Sequence, residues 1–561
     1  MMNQSMLLLK KIVVWNEQYD PEFAALRQPL NSNTYHTTLR PSTTPTAHGT
    51  YNAAVYATAL LDSELPEYEE RAFHVIRGLL PHQDQDTQSD TYGIWPWFYE
   101  EPLSQMSPPD WNWADFIGKQ LVLIALRHGK RIPDDLNEQI RHAVWCACES
   151  IVRRNMGAHY TNIAIMGSLV TLIAGEHYGW NVFVDYALDR LKKIQAHVEQ
   201  LGNFQEYNSP PYTKVAIIEL SHIRQATRIP LAKELANSLL DRAWFTVAEH
   251  IHPQTMEWAG PHCRSYGALL REDEKGFLQL ATQGKLRYYP DDEVPYDTGC
   301  YGNDIRCPED YIPFLIGMEK RVIRQRYYLN YESGLEKWAS TYITPAYSIG
   351  SFSEEIMWNQ TRPVIGYVNH EGKPVYFRFR FLHDGYDYCS AVIKSSQEQG
   401  DLLLGVRFLT EGGDTHPNLD RIDGSIQAAD FRLRLEFGGH LEGIVPDLNG
   451  AEASVKIGDT QVQLRSLYAI FGEESASLAW RVSQDQSAFG LDLVLYEGEP
   501  KVIDFHTIQR AALLLSLSLG DELMVPSFQI TETEDSVTAA LDSGEEEAMR
   551  MVSVPLKPRH Y

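Results

Sequence analysis

Four stretches of this chain gather residue types that move protons or hold acidic sugars. In NFQEYNSPPYTKVAIIEL (203–220), a polar, aromatic loop carrying Glu206, Tyr207 and Ser209 runs through Pro210-Pro211 into an apolar helical pattern. Proline suits the first turn of a helix, so Ser209-Pro210-Pro211 reads as a helix start, with Tyr212 on the first turn and Tyr207 just before it. Phenols at a helix mouth transfer protons or stack on sugar rings; two packed tyrosines with satisfied hydroxyls would leave the same sequence. In AGPHCRSY (259–266), His262, Arg264 and Tyr266 are alternate residues and share a face of an extended segment. A cation there would lower the pKa of a neighbouring phenol, because the phenolate gains a partner. A surface histidine with a salt-bridged arginine is the plainer reading.

His159-Tyr160-Thr161-Asn162 opens an apolar helical run. Asn162 is placed to cap that helix, or to offer its amide, helped by the helix dipole, to a substrate carboxylate. WPWFYEEPLSQMSPPDWNWAD (95–115) crowds Trp95, Trp97, Trp111 and Trp113 together with Glu100, Glu101, Asp110 and Asp115. Flat apolar faces beside hydrogen-bond acceptors are what a saccharide cleft needs; a packed loop anchored by its tryptophans has the same composition. A further stretch, 342–362, offers Tyr342, Tyr347, Trp358, Asn359 and Gln360 where the texture of the chain changes.

The elements that must position these residues are legible as two regimes. Apolar positions recur at helical spacing over 53–61, 68–80, 116–128, 136–151, 162–174, 182–197, 212–223, 231–251 and 311–324. Short Gly/Pro/Asp links between them imply antiparallel helical hairpins, and hairpins in succession close into a toroid or stack as a solenoid. The long polar-aromatic connectors favour a toroid with a functional mouth. Beyond about residue 335, short alternating runs at 374–381, 402–409, 431–437, 462–470, 478–482 and 491–496 read as an antiparallel β-sandwich. The expected organisation is a helical (α/α) toroid over 1–335 and a β-sandwich over 336–561, with an acidic, partly exposed piece at 531–547.

Composition narrows the partners. A chain of 561 residues with 43% apolar and 22% charged residues has full cores. Its net charge of −26 argues against nucleic acid or an anionic membrane surface as a partner. No apolar run approaches the roughly 20 residues that span a bilayer, and the N-terminus lacks a signal-peptide pattern, so a cytoplasmic location is expected. The six cysteines fit no zinc or disulfide spacing and read as free thiols.

Taken together, these stretches resemble the uronate polysaccharide lyases of the heparinase II/III and alginate lyase type. The resemblance covers the whole chain as architecture and is partial in its motifs. Asn162 resembles that family's asparagine at a helix start, although Ile163 follows where the family has histidine. Glu206, Ser209, Pro210 and Tyr212 resemble the stretch that supplies its catalytic tyrosine, although Thr213 follows. The resemblance implies β-elimination on a bacterial uronic-acid oligosaccharide. Tyr212 would be the acid/base, with Tyr207 or Tyr266 next, and Asn162 with His262 or Arg264 would neutralise the uronate carboxylate. Trp95, Trp97, Trp111, Trp113, Glu206 and Tyr347 would bind the sugar. No cofactor is implied beyond the structural zinc some of these lyases carry, of which His383, Asp384, His416 and His440 are a loose echo. Two other readings stand: a glycoside hydrolase pairing two of Asp110, Asp115, Glu206 and Glu257, which needs carboxylates about 5–9 Å apart, and a carbohydrate-binding protein without turnover. Which uronate is taken, and the oligomeric state, are not written in the sequence.

Overall fold

The computed structural model describes all residues but 1–2, 32–34, 474–478, 486, 522, 524–525, 542–549 and 561. Helical hairpins fill its first part: α1 (Gln4–Gln18), α2 (Thr50–Asp62), α3 (Pro66–Leu79), α4 (Trp113–His128), α5 (Asp134–Arg154), α6 (Thr161–Tyr178), α7 (Asn181–Leu201), α8 (Pro210–Ala226), α9 (Pro230–His250) and α10 (Glu272–Ala281). Helices α2, α4, α6 and α8 pack on one another as an inner wall, and α3, α5, α7 and α9 return outside them. The sequence explains the assignment. Every residue of α6 from Thr161 to Gly175 is buried, as an inner helix requires. By contrast, α3 buries a single stripe of Ala72, Phe73, Val75, Ile76 and Leu79 against that wall. Prolines open α3, α8 and α9, and Gly179 closes α6 at a φ of 75°, a left-handed turn that favours glycine. Across the inner wall, Lys119 of α4 and Glu219 of α8 are both buried and pair at 2.7 Å, which keeps each charge partnered. The chain after α10 returns to the first helix, where Tyr296 reaches Gln4 at 3.3 Å and Lys10 donates to the Asp292 carbonyl at 2.6 Å. This closes the toroid.

The second part is an antiparallel β-sandwich. Among the described residues one sheet has nine strands and the other seven, and their inner faces share one core that includes Phe377, Phe381, Phe431, Leu404 and Leu515. A three-stranded sheet (Phe528–Glu532, Ser536–Leu541, Met551–Pro555) covers the outer face of the seven-stranded one. The helical expectation for 311–324 does not hold. A short helix, α11 (Ile312–Ile316), ends at Gly317, and Arg321–Leu329 then pairs antiparallel with Glu336–Ile343 as the first strand of the large sheet. The apolar residues there fall mainly in two separate clusters, 311–316 and 322–323, each too short to distinguish helix from strand. Residues 542–547 of the acidic piece and residue 478 of the expected 478–482 strand lie outside the described residues; the strand in that region is Arg481–Gln484.

Ring and sandwich meet along the segment before α10. His262 and Arg362 exchange backbone hydrogen bonds at 3.2 and 2.9 Å, and Ser265 donates to the Gln360 carbonyl at 2.6 Å. A Cβ on Gly350 would lie 1.9 Å from the Gly260 carbonyl oxygen, so the two backbones touch with no side chain between them. All six cysteines are free, and no helix among the described residues is long and apolar enough to cross a membrane.

Candidate active site at the junction of ring and sandwich

Two inner-wall helices point their N-termini at this junction. At the mouth of α6, the Glu206 carboxylate accepts from the Asn162 backbone N–H at 2.7 Å and from the Asn162 amide at 2.7 and 2.9 Å. A carboxylate suits that place because the first-turn N–H groups lack helical partners and the dipole favours negative charge. At the mouth of α8, Ser209 is the cap: its Oγ accepts from the Tyr212 N–H at 3.4 Å and donates to the Arg264 carbonyl at 2.7 Å. The helix start read from Ser209-Pro210-Pro211 is thus the one observed, and its cap also holds the next segment of the site.

That segment, 262–266, is a bridge residue followed by bends, so Arg264 and Tyr266 come together while His262 turns inward, and burial falls along it. His262 is 1% exposed, the Arg264 side chain 21% and Tyr266 49%. Arg264 is the centre. Its guanidinium lies 4.3 Å from the ring centroid of Tyr212, contacts Gln360 Oε1 at 2.8 and 3.2 Å and the Tyr266 hydroxyl at 3.4 Å, and stands 3.6 Å from Glu206. The hydroxyls of Tyr212 and Tyr266 share a hydrogen bond of 2.5 Å. Burial pushes the Tyr212 phenol well above its ordinary pKa; Arg264 pulls the other way without prevailing. Burial likewise raises Glu206, against the pull of Arg264 and the Asn162 donors.

Of the residues proposed from sequence, Asn162, Glu206, Tyr212, Arg264 and Tyr266 therefore come together. Asn162 is 1% exposed and spends its amide NH2 on Glu206, while its Oδ1 has no hydrogen-bond partner among the described residues. It orients the carboxylate from a buried position. His262 points inward to the Asn208 carbonyl at 2.7 Å, and burial lowers its pKa to about 4, so it is a neutral internal hydrogen-bonding group. Tyr207 is fully buried with its hydroxyl on His250 at 2.9 Å. Tyr347 is buried in the sandwich with its hydroxyl on the Leu519 carbonyl at 3.0 Å. All three are polar residues with internal partners.

The tryptophan loop divides in the same way. Trp95 is fully buried. Trp97 and Trp113 are half-buried and stack at 5.1 Å, their indole N–H groups held by Asp110 and Thr50. Trp111 donates to the Asp90 carbonyl at 2.9 Å. Asn112 connects this loop to the junction, since its amide reaches the Tyr160 hydroxyl at 3.3 Å, and Tyr160 in turn adjoins Arg264. Of the hydrolase carboxylates, Asp115 and Glu257 are buried, each raised to about 7 by burial, and Glu257 is tied to the Leu270 N–H at 2.6 Å. Neither faces a cleft.

Sequence reasoning missed the part played by three residues. Asn208, at a φ of 50°, donates to the Ala259 and Pro261 carbonyls at 2.8 and 2.9 Å and accepts from Trp258 at 2.6 Å, which sets the path of the Arg264 segment. Gln360 was named only as a residue of the junction and proves to be the main partner of Arg264. His416, named as a metal echo, packs its ring 5.0 Å from Trp358 and 4.7 Å from Tyr35 on the sandwich side of Arg264. Its Nδ1 accepts from two backbone N–H groups, and burial lowers its pKa to about 4, so it is a neutral imidazole with the proton on Nε2. Among the described residues, His383, Asp384, His416 and His440 do not form one ligand cluster. His383 donates through both ring nitrogens, to Asp414 at 2.9 Å and to the Gln427 carbonyl at 2.9 Å, leaving no lone pair for a metal. Asp384 accepts from the Ala429 and Asp430 N–H groups.

Residues 17–276 match a family described as a domain of unknown function, DUF8769. No curated protein matches the chain. Among solved structures, the chain is similar to heparinase III, with 11% identity and a TM-score of 0.45 over 90% of this chain and 82% of that one. It is also similar to the chondroitin AC lyase of Streptomyces coelicolor A3 in complex with chondroitin sulphate, at 9% identity and a TM-score of 0.45, covering 99% of this chain and 94% of that one. A heparan sulfate lyase mutant from Pedobacter heparinus aligns at 11% identity and a TM-score of 0.32 over 91% and 82% of the two chains.

Proposed function

We propose that this protein is a carbon–oxygen lyase that cleaves uronic-acid-containing oligosaccharides by β-elimination at the junction of ring and sandwich. The observation that carries the reading is the placement of one guanidinium, Arg264, against two hydrogen-bonded phenols, of which Tyr266 is half exposed. The C5 proton of a uronate is weakly acidic until its carboxylate charge is offset, and Arg264 supplies that charge. Glu206, 3.6 Å away, offsets part of that charge, while its carboxylate is also held by the Asn162 backbone N–H and amide; the Arg264 donors on Gln360 and Tyr266 are the ones a sugar carboxylate would engage. The guanidinium then stabilises the enolate as negative charge grows on the sugar carboxylate.

The phenol pair handles the protons. With one proton missing from the pair, Tyr212 takes the C5 proton, the electron pair forms the C4–C5 double bond, the C4–O bond breaks, and the leaving oxygen receives a proton from the same phenol. Tyr266, the more exposed partner, exchanges protons with water. Trp97 and Trp113 provide a flat face for a neighbouring sugar ring. The test is a panel of uronic-acid glycans followed in the near ultraviolet, where the C4–C5 double bond absorbs. Rising absorbance that is absent with Tyr212→Phe supports the reading. New reducing ends without absorbance would mean hydrolysis, and binding without either product would mean a carbohydrate-binding protein; both overturn it.

A further inference from the structure

A second group of side chains lies at the far end of the nine-stranded sheet. The strand Val364–His370 starts beside the junction and runs away from it, so its last residue is about 20 Å from its first at the usual rise of a strand. It turns through Glu371 and Gly372, at φ of 52° and 78°, into Lys373–His383, with His370 paired to Lys373. Two successive positive φ values make a tight hairpin of fixed shape. On the other side of Lys373–His383, the strand Ser425–Gly439 ends opposite Val375, and the next residue, His440, donates its N–H to the Pro374 carbonyl at 3.1 Å. His370, Glu371 and His440 are thereby brought to one place by three neighbouring backbone segments.

We propose that these three residues bind a divalent transition-metal ion of the zinc type. One ligand atom from each lies within 4.8 Å of the others. The two imidazoles are 5.4 Å apart between ring centroids, and His440 Nε2 is 3.7 Å from Glu371. Zinc bonds of about 2.0–2.1 Å in tetrahedral geometry set ligand atoms about 3.3 Å apart. Glu371, 73% exposed, can rotate toward the two imidazoles, whose exposed edges can shift to meet it. A separate feature points the same way. His370 Nε2 donates to the Glu442 carbonyl at 3.0 Å, which fixes the tautomer and leaves Nδ1 as the nitrogen that carries the lone pair. Metal-binding histidines are oriented by such a bond from their other nitrogen. Two imidazoles and one carboxylate select a borderline ion over magnesium, which prefers oxygen ligands only. Water would fill the remaining position. The ion would tie the hairpin tip to the end of the neighbouring strand, far from the phenol pair.

The full-length chain, stripped with a chelator and dialysed, is titrated with Zn2+ by calorimetry, and with Co2+ by visible absorption. The expected result is one ion per chain, a ligand-field spectrum for Co2+, and a rise in Tm with Zn2+ but not with Mg2+. His370→Ala and His440→Ala should each weaken binding at least tenfold and remove the Tm rise. Both should melt like wild type without metal, which shows that they fold. His506→Ala, at an exposed histidine elsewhere on the sandwich, should bind as wild type does. Absence of stoichiometric Zn2+ binding, or binding that survives in the His370→Ala/His440→Ala double variant, overturns the site.

Discussion

A phenol enclosed by protein resists ionisation, and a guanidinium against its ring promotes it; Tyr212 experiences both. Burial prevails, so Tyr212 holds its proton at neutral pH and only a small fraction of the pair is singly ionised. The proposed reaction should therefore accelerate as pH rises, with kcat/KM still climbing beyond pH 9. Arg264→Gln removes the opposing pull and should displace that rise to higher pH while lowering the rate; a pH profile of both proteins checks it. Loss of the Tyr212 hydroxyl should cost about 10²–10³ in kcat with Tm little changed, measured by product absorbance and thermal unfolding. Tyr212 at a Pro-marked helix start, and Arg264 with Tyr266 two residues on, were readable in the sequence because they are local signals; Gln360, 96 residues from Arg264, was not recognisable as its partner. Depth was not readable. His262, Tyr207, Trp95 and Tyr347 belong to the same chemical types, and only the fold shows that they have internal partners.

At the level of elements, the start of α8 has two duties. Ser209 caps the helix and binds the backbone of Arg264 with the same hydroxyl. Ser209→Ala should cost about 1 kcal/mol in stability, as lost caps do, and should raise KM more than Tyr212→Phe does because Arg264 loses a backbone tether. Urea unfolding and steady-state kinetics separate the two effects. The helical hairpins were visible because their inner and outer helices carry long 3.6-residue patterns. Three features were not. Helix α1 carries Lys10-Lys11 amid its apolar residues and buries only Leu7, Leu8 and Ile12. Helix α10 opens with Glu272-Asp273-Glu274 and is only ten residues long, and the stretch after 311 mixes a one-turn helix with a strand in too few residues for either period to show.

Across the whole molecule, the seam between the two parts is lined by histidines held neutral. Burial lowers His250 to about 3 and His252 and His262 to about 4. These folded values lie below the usual 6.5, so the stability they confer is complete above pH 6.5 and is lost as pH falls toward 4. A shift of that size is worth roughly 3 kcal/mol for one fully buried group. Buried Asp115, Glu249 and Glu257, raised to about 7, act in the opposite sense. The difference between wild type and His262→Gln isolates one residue: the variant should be less stable at pH 7.5, and the gap should narrow toward pH 4 in chemical denaturation.

The contact of Gly350 with Gly260 sets a rule for recombining this protein with others. With no room for a methyl group at that crossing, a ring grafted onto a foreign sandwich would lose the surface against which the arginine segment is laid, and its phenols would be left without their cation. A workable chimaera would have to transfer the interior strands from 347 to 366 along with the ring, so the unit of inheritance here is larger than the helical half alone.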